Sequence, residues 1–177
     1  MDRITSIETE LQTLISTIAV PIITSASPPP VGYQYYTSTG TVQIEDEVLS
    51  LATNVDSKMV NYVIYLDQPE VNEEWSIGQC AYTNTLMFRV VGRVHLLGSE
   101  GNPKFQINQK MNEVVSDFKY LFGSKHTLNG KCNYVRYMTS ERRYNENNNR
   151  IFTAEIDIIL MVNYSQSLNN PDLGACL

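Results

Sequence analysis

The stretch IFTAEIDIILMVNY, Ile151 to Tyr164, decides the fold class of this chain. Every second residue from Phe152 to Tyr164 is apolar, and the residues between them include Glu155 and Asp157. Successive side chains of a β-strand point to opposite sides, so this alternation separates two faces. The stretch predicts a long strand with one apolar face and one acidic face, and the acidic face lies toward solvent.

A partner strand precedes it. CNYVRYMT, Cys132 to Thr139, has strand-forming residues, and the polar residues that follow predict a hairpin tip with three consecutive asparagines, Asn147 to Asn149. Exposed charges at such a tip can pair with a neighbouring subunit and fix its register, although they add little energy. The candidate subunit-interface residues here are Arg142, Arg143 and Tyr144. A solvated turn is the alternative.

Two further segments predict strands. KMVNYVIYLDQ, Lys58 to Gln68, is apolar on both faces and indicates a central strand. TNTLMFRVVGRVHLLG, Thr83 to Gly98, alternates around Gly92, which indicates a bulge or a close approach of another backbone. Between Tyr33 and Glu45, strand formers flank a Ser-Thr-Gly turn and predict a short hairpin.

Two amphipathic helices complete the pattern. NPKFQINQKMNEVVSDFKYLFG, Asn102 to Gly123, has apolar residues at helical spacing and should lie across the sheet. The N-terminal helix, within residues 1–20, carries a narrow apolar seam with the spacing of a coiled coil, and should stop near residue 19 ahead of Pro21. Such a seam predicts a subunit interface made by Ile4, Ile7, Leu11, Leu14 and Ile18.

The length of 177 residues fits one domain that spans the chain. The order of elements predicts an α+β fold: a mostly antiparallel sheet, two main amphipathic helices packed on it, and a long C-terminal β-hairpin. Residues 21–32 form a proline-rich linker before an α+β body at 33–177. An acidic loop at 67–74 leads to Trp75, which either pins the loop to its own domain or serves as an interface residue.

Charge and cysteine content exclude several classes. The net charge of −6 argues against a protein that grips nucleic acid, because that requires clustered Lys and Arg. Cys80, Cys132 and Cys176 are widely spaced and odd in number, which indicates free thiols in a reducing compartment. The apolar run Leu14 to Ile23 follows an acidic segment and is too short to span a bilayer, so we expect neither a signal peptide nor a membrane anchor.

Residues suited to catalysis are scarce. His95 and His126, the only two histidines, have no metal-ligand spacing, and no cofactor motif is present. Glu155 and Asp157 come from one strand, which is a weak basis for a catalytic carboxylate pair. We therefore expect no enzyme, no cofactor and no metal. A small-ligand or enzymatic site built from Arg89, Arg93 and His95 is the alternative from a different class.

The chain resembles the tail-terminator, or tail-completion, proteins of long-tailed bacteriophages. The resemblance rests on length and on the order of four segments: ITSIETELQTLISTI, NTLMFRVVGRVHLLG, NQKMNEVVSDFKYLFG, and the closing hairpin into IFTAEIDIILMVNY. It covers most of the chain and includes no sharp motif. The proline-rich linker and the acidic loop depart from the family pattern.

This resemblance implies a virion protein, assembled in the host cytoplasm, that closes into a homo-hexameric ring on the tail tube. Such a ring stops tube polymerisation and provides the head–tail joining surface. The implied partners are further copies of the chain, the tail tube protein, a head–tail connector or stopper protein, and sheath or neck components. DNA would pass through the ring without specific binding, which suits an acidic subunit. In such a ring the acidic face of Glu155 and Asp157 is a candidate for the lumen. Another neck or connector protein is the alternative within this class.

Overall fold

The computed structural model describes residues 3–21, 34–44, 59–68, 74–75, 81–97, 103–145 and 151–167. Within these ranges the elements are, in order, α1 (Arg3–Ser16), β1 (Ser38–Ile44), β2 (Met59–Gln68), β3 (Glu74–Trp75), β4 (Ala81–Leu97), α2 (Pro103–Ser124), β5 (Tyr134–Asn145) and β6 (Ile151–Ser167). The strands form one sheet in the order β1-β2-β4-β6-β5, with β3 paired to β4. β1 is parallel to β2 and the other pairs are antiparallel, so the predicted α+β class is confirmed.

The centre of the sheet is the pair β4 and β6, each 17 residues long. They pair in continuous register from Ala81 opposite Ser167 to Leu97 opposite Ile151. The alternation of β6 is confirmed, since the residues at every second position from Ala154 to Tyr164 are buried in the core. Because β4 and β5 both run antiparallel to β6, they are parallel to each other, and α2 makes the crossover that such an arrangement requires.

Both helices contribute to a single core on one face of the sheet, which we call the covered face. α2 packs a stripe from Ile107 to Phe122 against β2, β4 and β6. Its aromatic side chains meet Tyr62 of β2: the ring centroids of Tyr62 and Phe118 are 5.3 Å apart, and those of Phe118 and Phe122 are 5.7 Å apart. The predicted crossing helix is confirmed, and it extends to Ser124.

The predicted hairpin at residues 33–45 is wrong. Residues 38–44 form the single strand β1, parallel to β2, with Thr39 opposite Val60. Gly40 indicates a turn in the sequence, but in the structure a Cβ at this position would collide with Asn61 Oδ1. That oxygen accepts a hydrogen bond from the Thr41 backbone nitrogen at 2.9 Å. The glycine therefore allows a side chain of β2 to bond to the backbone of β1.

Gly92, like Gly40, leaves room for a side chain of a neighbouring strand. A Cβ there would lie 2.8 Å from Cε1 of Tyr62 and 3.1 Å from Cγ2 of Ile156. The close neighbour is thus an aromatic ring on the covered face rather than another backbone. The register irregularity between β2 and β4 falls at Leu66 to Gln68 instead.

Three element boundaries differ from expectation. α1 ends at Ser16 rather than near residue 19, because Thr17 and Ile18 donate their backbone N–H groups three residues back, to Leu14 and Ile15. β5 continues to Asn145, so Arg142 and Arg143 lie on a strand and not on the hairpin tip. β2 includes Asp67, and β3 includes Glu74, so the ends of the predicted acidic loop are strands. Residues 22–33, 69–73 and 146–150 lie outside the described residues.

Candidate assembly surface

The two edges of the sheet differ in how much of each is covered by other parts of the chain. Beyond β1 lie α1 and the residues that follow it, and both bond to the strand. The Thr39 backbone N–H donates to the carbonyl of Ile18, two residues after α1, at 2.8 Å. Gln12 Nε2 donates to the Val42 carbonyl at 2.8 Å. Covering an edge in this way removes a template for pairing with another chain. The β1 edge is therefore partly covered by the chain itself.

β5 forms the opposite edge. Near its start the Val135 backbone N–H donates to the His126 carbonyl at 2.6 Å, so the turn at 125–133 covers the first residues. Further along, no strand lies beyond β5 in the described part of the chain. Met138 sits at a register irregularity and is 45% exposed, and charged residues follow it. Bulges and charges protect an edge from random pairing while leaving it accessible.

α2 runs antiparallel along β5, and polar side chains join the two. Arg142 Nη2 donates to Asn112 Oδ1 at 2.6 Å, and the Tyr144 hydroxyl donates to Asn108 Oδ1. Nearer the other end, the Lys119 ammonium lies 5.1 Å from the centroid of the Tyr137 ring. The distal half of β5 is thus held by the N-terminal half of α2.

This junction has an exposed surface that we call the edge patch. Phe105, one helical turn before Asn108, is 67% exposed, and Tyr144 is 50% exposed. The side chains of Lys104 and Arg142 are also exposed beside them. The edge patch consists of Lys104, Phe105, Asn108, Asn112, Arg142 and Tyr144. Arg142 and Tyr144 are among the interface residues predicted from the sequence, and their interface role stays a prediction. Phe105 was not among them, although its position one residue off the apolar stripe of α2 indicates exposure.

The interface prediction for the α1 seam is wrong for this subunit. Ile7 and Leu11 are completely buried, Ile18 is 1% exposed and Leu14 is 5% exposed. All four belong to the core cluster, and Ile4 packs against it. The physical reason is that α1 lies on the covered face of its own sheet. A stripe narrow enough for a coiled coil is equally suited to a sheet packed against one side of a helix.

Trp75 lies on β3. Its backbone is opposite Tyr82 of β4, and its neighbour Glu74 is opposite Thr83. The segment that sequence analysis treated as a loop is therefore attached to the sheet at this point. The interface role of Trp75 stays a prediction.

Glu155 and Asp157 do not form a free acidic face. Arg93 donates to Glu155 Oε1 from Nε at 3.1 Å and from Nη2 at 2.5 Å. Arg143 Nη2 lies 2.8 Å from Asp157 Oδ2, and the Asp157 side chain is only 6% exposed. Each acid is thus neutralised by an arginine of a neighbouring strand. The interface prediction for Arg143 has to allow for this internal bond.

The alternative ligand site is also occupied by internal contacts. The Arg89 guanidinium lies 4.9 Å from the centroid of the Tyr65 ring, and its Nε is 3.9 Å from Asp67 Oδ1. Arg93 is bonded to Glu155. His95 is 7% exposed with its Nδ1 unbonded, and burial together with the Arg93 charge lowers the pKa of its imidazole. These three side chains lie on one face of β4, at every second or fourth residue.

A buried carboxylate that sequence analysis did not identify anchors the start of β1. Asp117 of α2 is completely buried and accepts bonds from the backbone N–H groups of Tyr36 and Thr37, at 3.0 Å and 2.9 Å. The Thr37 hydroxyl donates to the same carboxylate at 2.7 Å. Nearby, burial raises the pKa of the Tyr62 hydroxyl above its ordinary value. With its bonds directed at backbone, Asp117 acts as an anchor for the chain.

Two further reactive groups, Cys132 and His126, lie after α2. Burial raises the pKa of the Cys132 thiol to about 12, so it is a poor nucleophile near neutral pH. His126 lies exposed in the turn after α2. Across the described ranges, no three His, Cys, Asp or Glu side chains are grouped to hold a metal ion. Neither described helix combines the length and the hydropathy needed to cross a bilayer.

No protein-family model matches the chain, and a search of curated proteins found no significant similarity.

Proposed function

We propose that this chain is a non-enzymatic structural protein of a long-tailed bacteriophage virion, acting as a tail terminator. Copies of it close into a hexameric ring on the end of the tail tube. The ring stops tube polymerisation and provides the surface to which the head connector is joined. Its partners are itself, the tail tube protein and a connector or stopper protein.

The observation that carries this proposal is that one edge of the sheet is covered and the other is accessible. A ring of identical subunits needs two different contact surfaces on each copy, since head-to-tail contacts close only in that way. One edge of the sheet is covered by α1, whereas the other displays Phe105, Arg142 and Tyr144. Aromatic residues and arginine are the side chains most enriched in protein interfaces.

The charge of the chain supports the passage of DNA through such a ring. With a net charge of −6, the subunit repels phosphates on average and does not retain a polyanion. Two arginines of the sheet, Arg93 and Arg143, are paired with Glu155 and Asp157 and so add little positive charge.

The test is whether the purified full chain assembles. Sedimentation velocity over a wide concentration range, with negative-stain imaging of the same samples, should show closed rings of about six subunits. Adding the chain to a polymerising tail tube protein should shorten the tubes. A chain that stays monomeric at all concentrations and leaves tube length unchanged would contradict the proposal.

A further inference from the structure

Positive charge is concentrated in one continuous part of the molecule. Residues 103–145 carry eight Lys and Arg against three Asp and Glu, whereas the rest of the chain carries five against sixteen. One of the three acids, Asp117, is completely buried under the covered face. The stretch consists of α2, the following turn and β5, which is an edge strand. An acidic subunit therefore has one basic edge.

The edge patch lies on this basic edge and is already ordered for binding. Phe105 and Tyr144 present exposed aromatic surface. Lys104 precedes Phe105 on α2, Arg142 lies two residues before Tyr144 on β5, and both basic side chains are exposed. Asn112 holds the Arg142 guanidinium at 2.6 Å. Side chains that are fixed before association lose less entropy when they bind. The composition and the order of the patch are those of an interface centre.

We propose that the edge patch binds the acidic surface of a second copy of this chain, in a head-to-tail contact. Two copies with a net charge of −6 repel each other unless the basic edge of one meets acidic surface of the other. A symmetric contact of patch with patch would place Lys104 and Arg142 against themselves, which like-charge repulsion opposes.

A head-to-tail contact of this kind repeats from copy to copy, so it closes into a ring or continues as a filament. The inference rests on the proposed function, because it specifies the contact that the ring requires. It adds that electrostatic attraction selects the two surfaces and that Phe105 contributes the apolar anchor. Nucleic acid is a poorer partner for the same patch, since the remaining charge of the chain repels phosphates.

The experiment compares two single charge reversals with the same change in net charge. Arg142→Glu alters the edge patch, and Lys125→Glu alters an exposed lysine just beyond the C-terminus of α2. Self-association of each full chain is measured by sedimentation velocity at low and at high salt. We expect Arg142→Glu to weaken association at least about tenfold, Lys125→Glu to change it less than about twofold, and high salt to weaken the wild type.

Phe105→Ser tests the apolar part independently of charge. Because Phe105 is 67% exposed, this variant should keep the wild-type melting temperature and still weaken association about tenfold. The thermal melts of all variants are recorded alongside, so that a loss of association is separated from a loss of folding.

The outcomes separate this inference from the proposed function. If the wild type forms rings and the Arg142 and Phe105 variants form them equally well, the edge patch is not the contact, and ring assembly stands. Equal weakening by the two charge reversals would point to net charge alone and overturn the inference. Binding of a duplex DNA probe by the wild type, lost in Arg142→Glu with self-association unchanged, would also overturn it. A wild type that never associates would overturn both.

Discussion

The two faces of the sheet are stabilised by different physics. On the covered face, strands, α1 and α2 bury a continuous apolar cluster that includes Leu11, Phe88 and Phe118, all at 0% exposure. The second face, on which neither described helix packs, carries cross-strand ion pairs such as Arg93 with Glu155 and Arg143 with Asp157. One side of β4 and β6 is therefore stabilised by the packing of apolar side chains, and the other side is organised by pairs of opposite charges.

The consequence concerns how each face responds to substitution. Close-packed cores lose several kcal/mol when a large side chain is removed or a charge is introduced. Partly exposed ion pairs contribute less, because water and salt screen them. Substitutions of the covered face should therefore act on folding, and those of the second face should act more weakly and depend on pH or salt.

The largest effect is expected for Leu11→Asp on the covered face. The change places a carboxylate at a position with no solvent exposure, at a cost comparable with the total stability of a small domain, about 5–15 kcal/mol. Circular dichroism should show an unfolded chain at any protein concentration. Thr13→Asp, at an exposed position of the same helix, is the control and should fold. A folded Leu11→Asp that fails only to assemble would restore the interface prediction for α1.

Asp117→Ala should rank next. It removes the acceptor of the buried Thr37 backbone N–H and of the part-buried Tyr36 backbone N–H, a loss of about 3 kcal/mol. Urea unfolding measures this change. Glu113→Ala, one turn earlier on α2, should cost less than about 0.5 kcal/mol. Similar costs for the two variants would mean that the Asp117 anchor contributes nothing special to the covered face.

A smaller effect is expected for Arg93→Ala on the second face. Glu155 then loses its partner, but both side chains keep about a fifth of their exposure, so the cost should be about 1–2 kcal/mol. The double variant Arg93→Met with Glu155→Met should recover most of this loss in the same urea titration. If the double variant were as unstable as the single one, the pairing of charge would not be what organises this face.

Much of the fold could be predicted because its elements are long and strongly periodic. The alternation from Phe152 to Tyr164 indicated β6 and its buried face, and the stripe on α2 indicated a crossing helix. Periodicity reports which residues are buried, so it does not identify what buries them. For this reason Leu11 and Leu14 were assigned to a neighbouring subunit when their partner is the sheet of their own chain.

Contacts that depend on tertiary pairing could not be predicted in the same way. Gly40 is read as a turn in sequence, yet its role is set by Asn61 of the adjacent parallel strand. The pairing of Glu155 with Arg93 depends on register, which no local pattern specifies. Arg142 and Tyr144 were predicted to lie at an interface because polar and charged residues gather near the expected hairpin tip, and that role stays a prediction. The exposure of Phe105 required knowledge of which side of α2 faces the sheet.

The smallest effect concerns His95 and pH. Burial, and then the charge of Arg93, lower the pKa of this imidazole in the folded chain below its ordinary value of 6.5. As pH falls through about 6.5, the imidazole of the unfolded chain binds a proton, whereas that of the folded chain stays neutral. The free energy of unfolding therefore decreases, and the decrease ends once the pH is below the folded pKa of His95. The decline should be smaller in His95→Gln.

Urea unfolding at several pH values measures this difference. The contributions of the other titrating groups to the pH dependence cancel when the variant is compared with the wild type. Arg93→Met supplies the internal control: it removes the second cause and leaves burial, so the decline should shrink without vanishing. If stability depended on pH in His95→Gln as it does in the wild type, protonation of His95 would not affect the free energy of unfolding. Charge on the second face would then be screened even at this buried imidazole. The covered face would still be stabilised by apolar packing. On the second face, the role of charge would then be limited to Arg93, Arg143 and their partner acids.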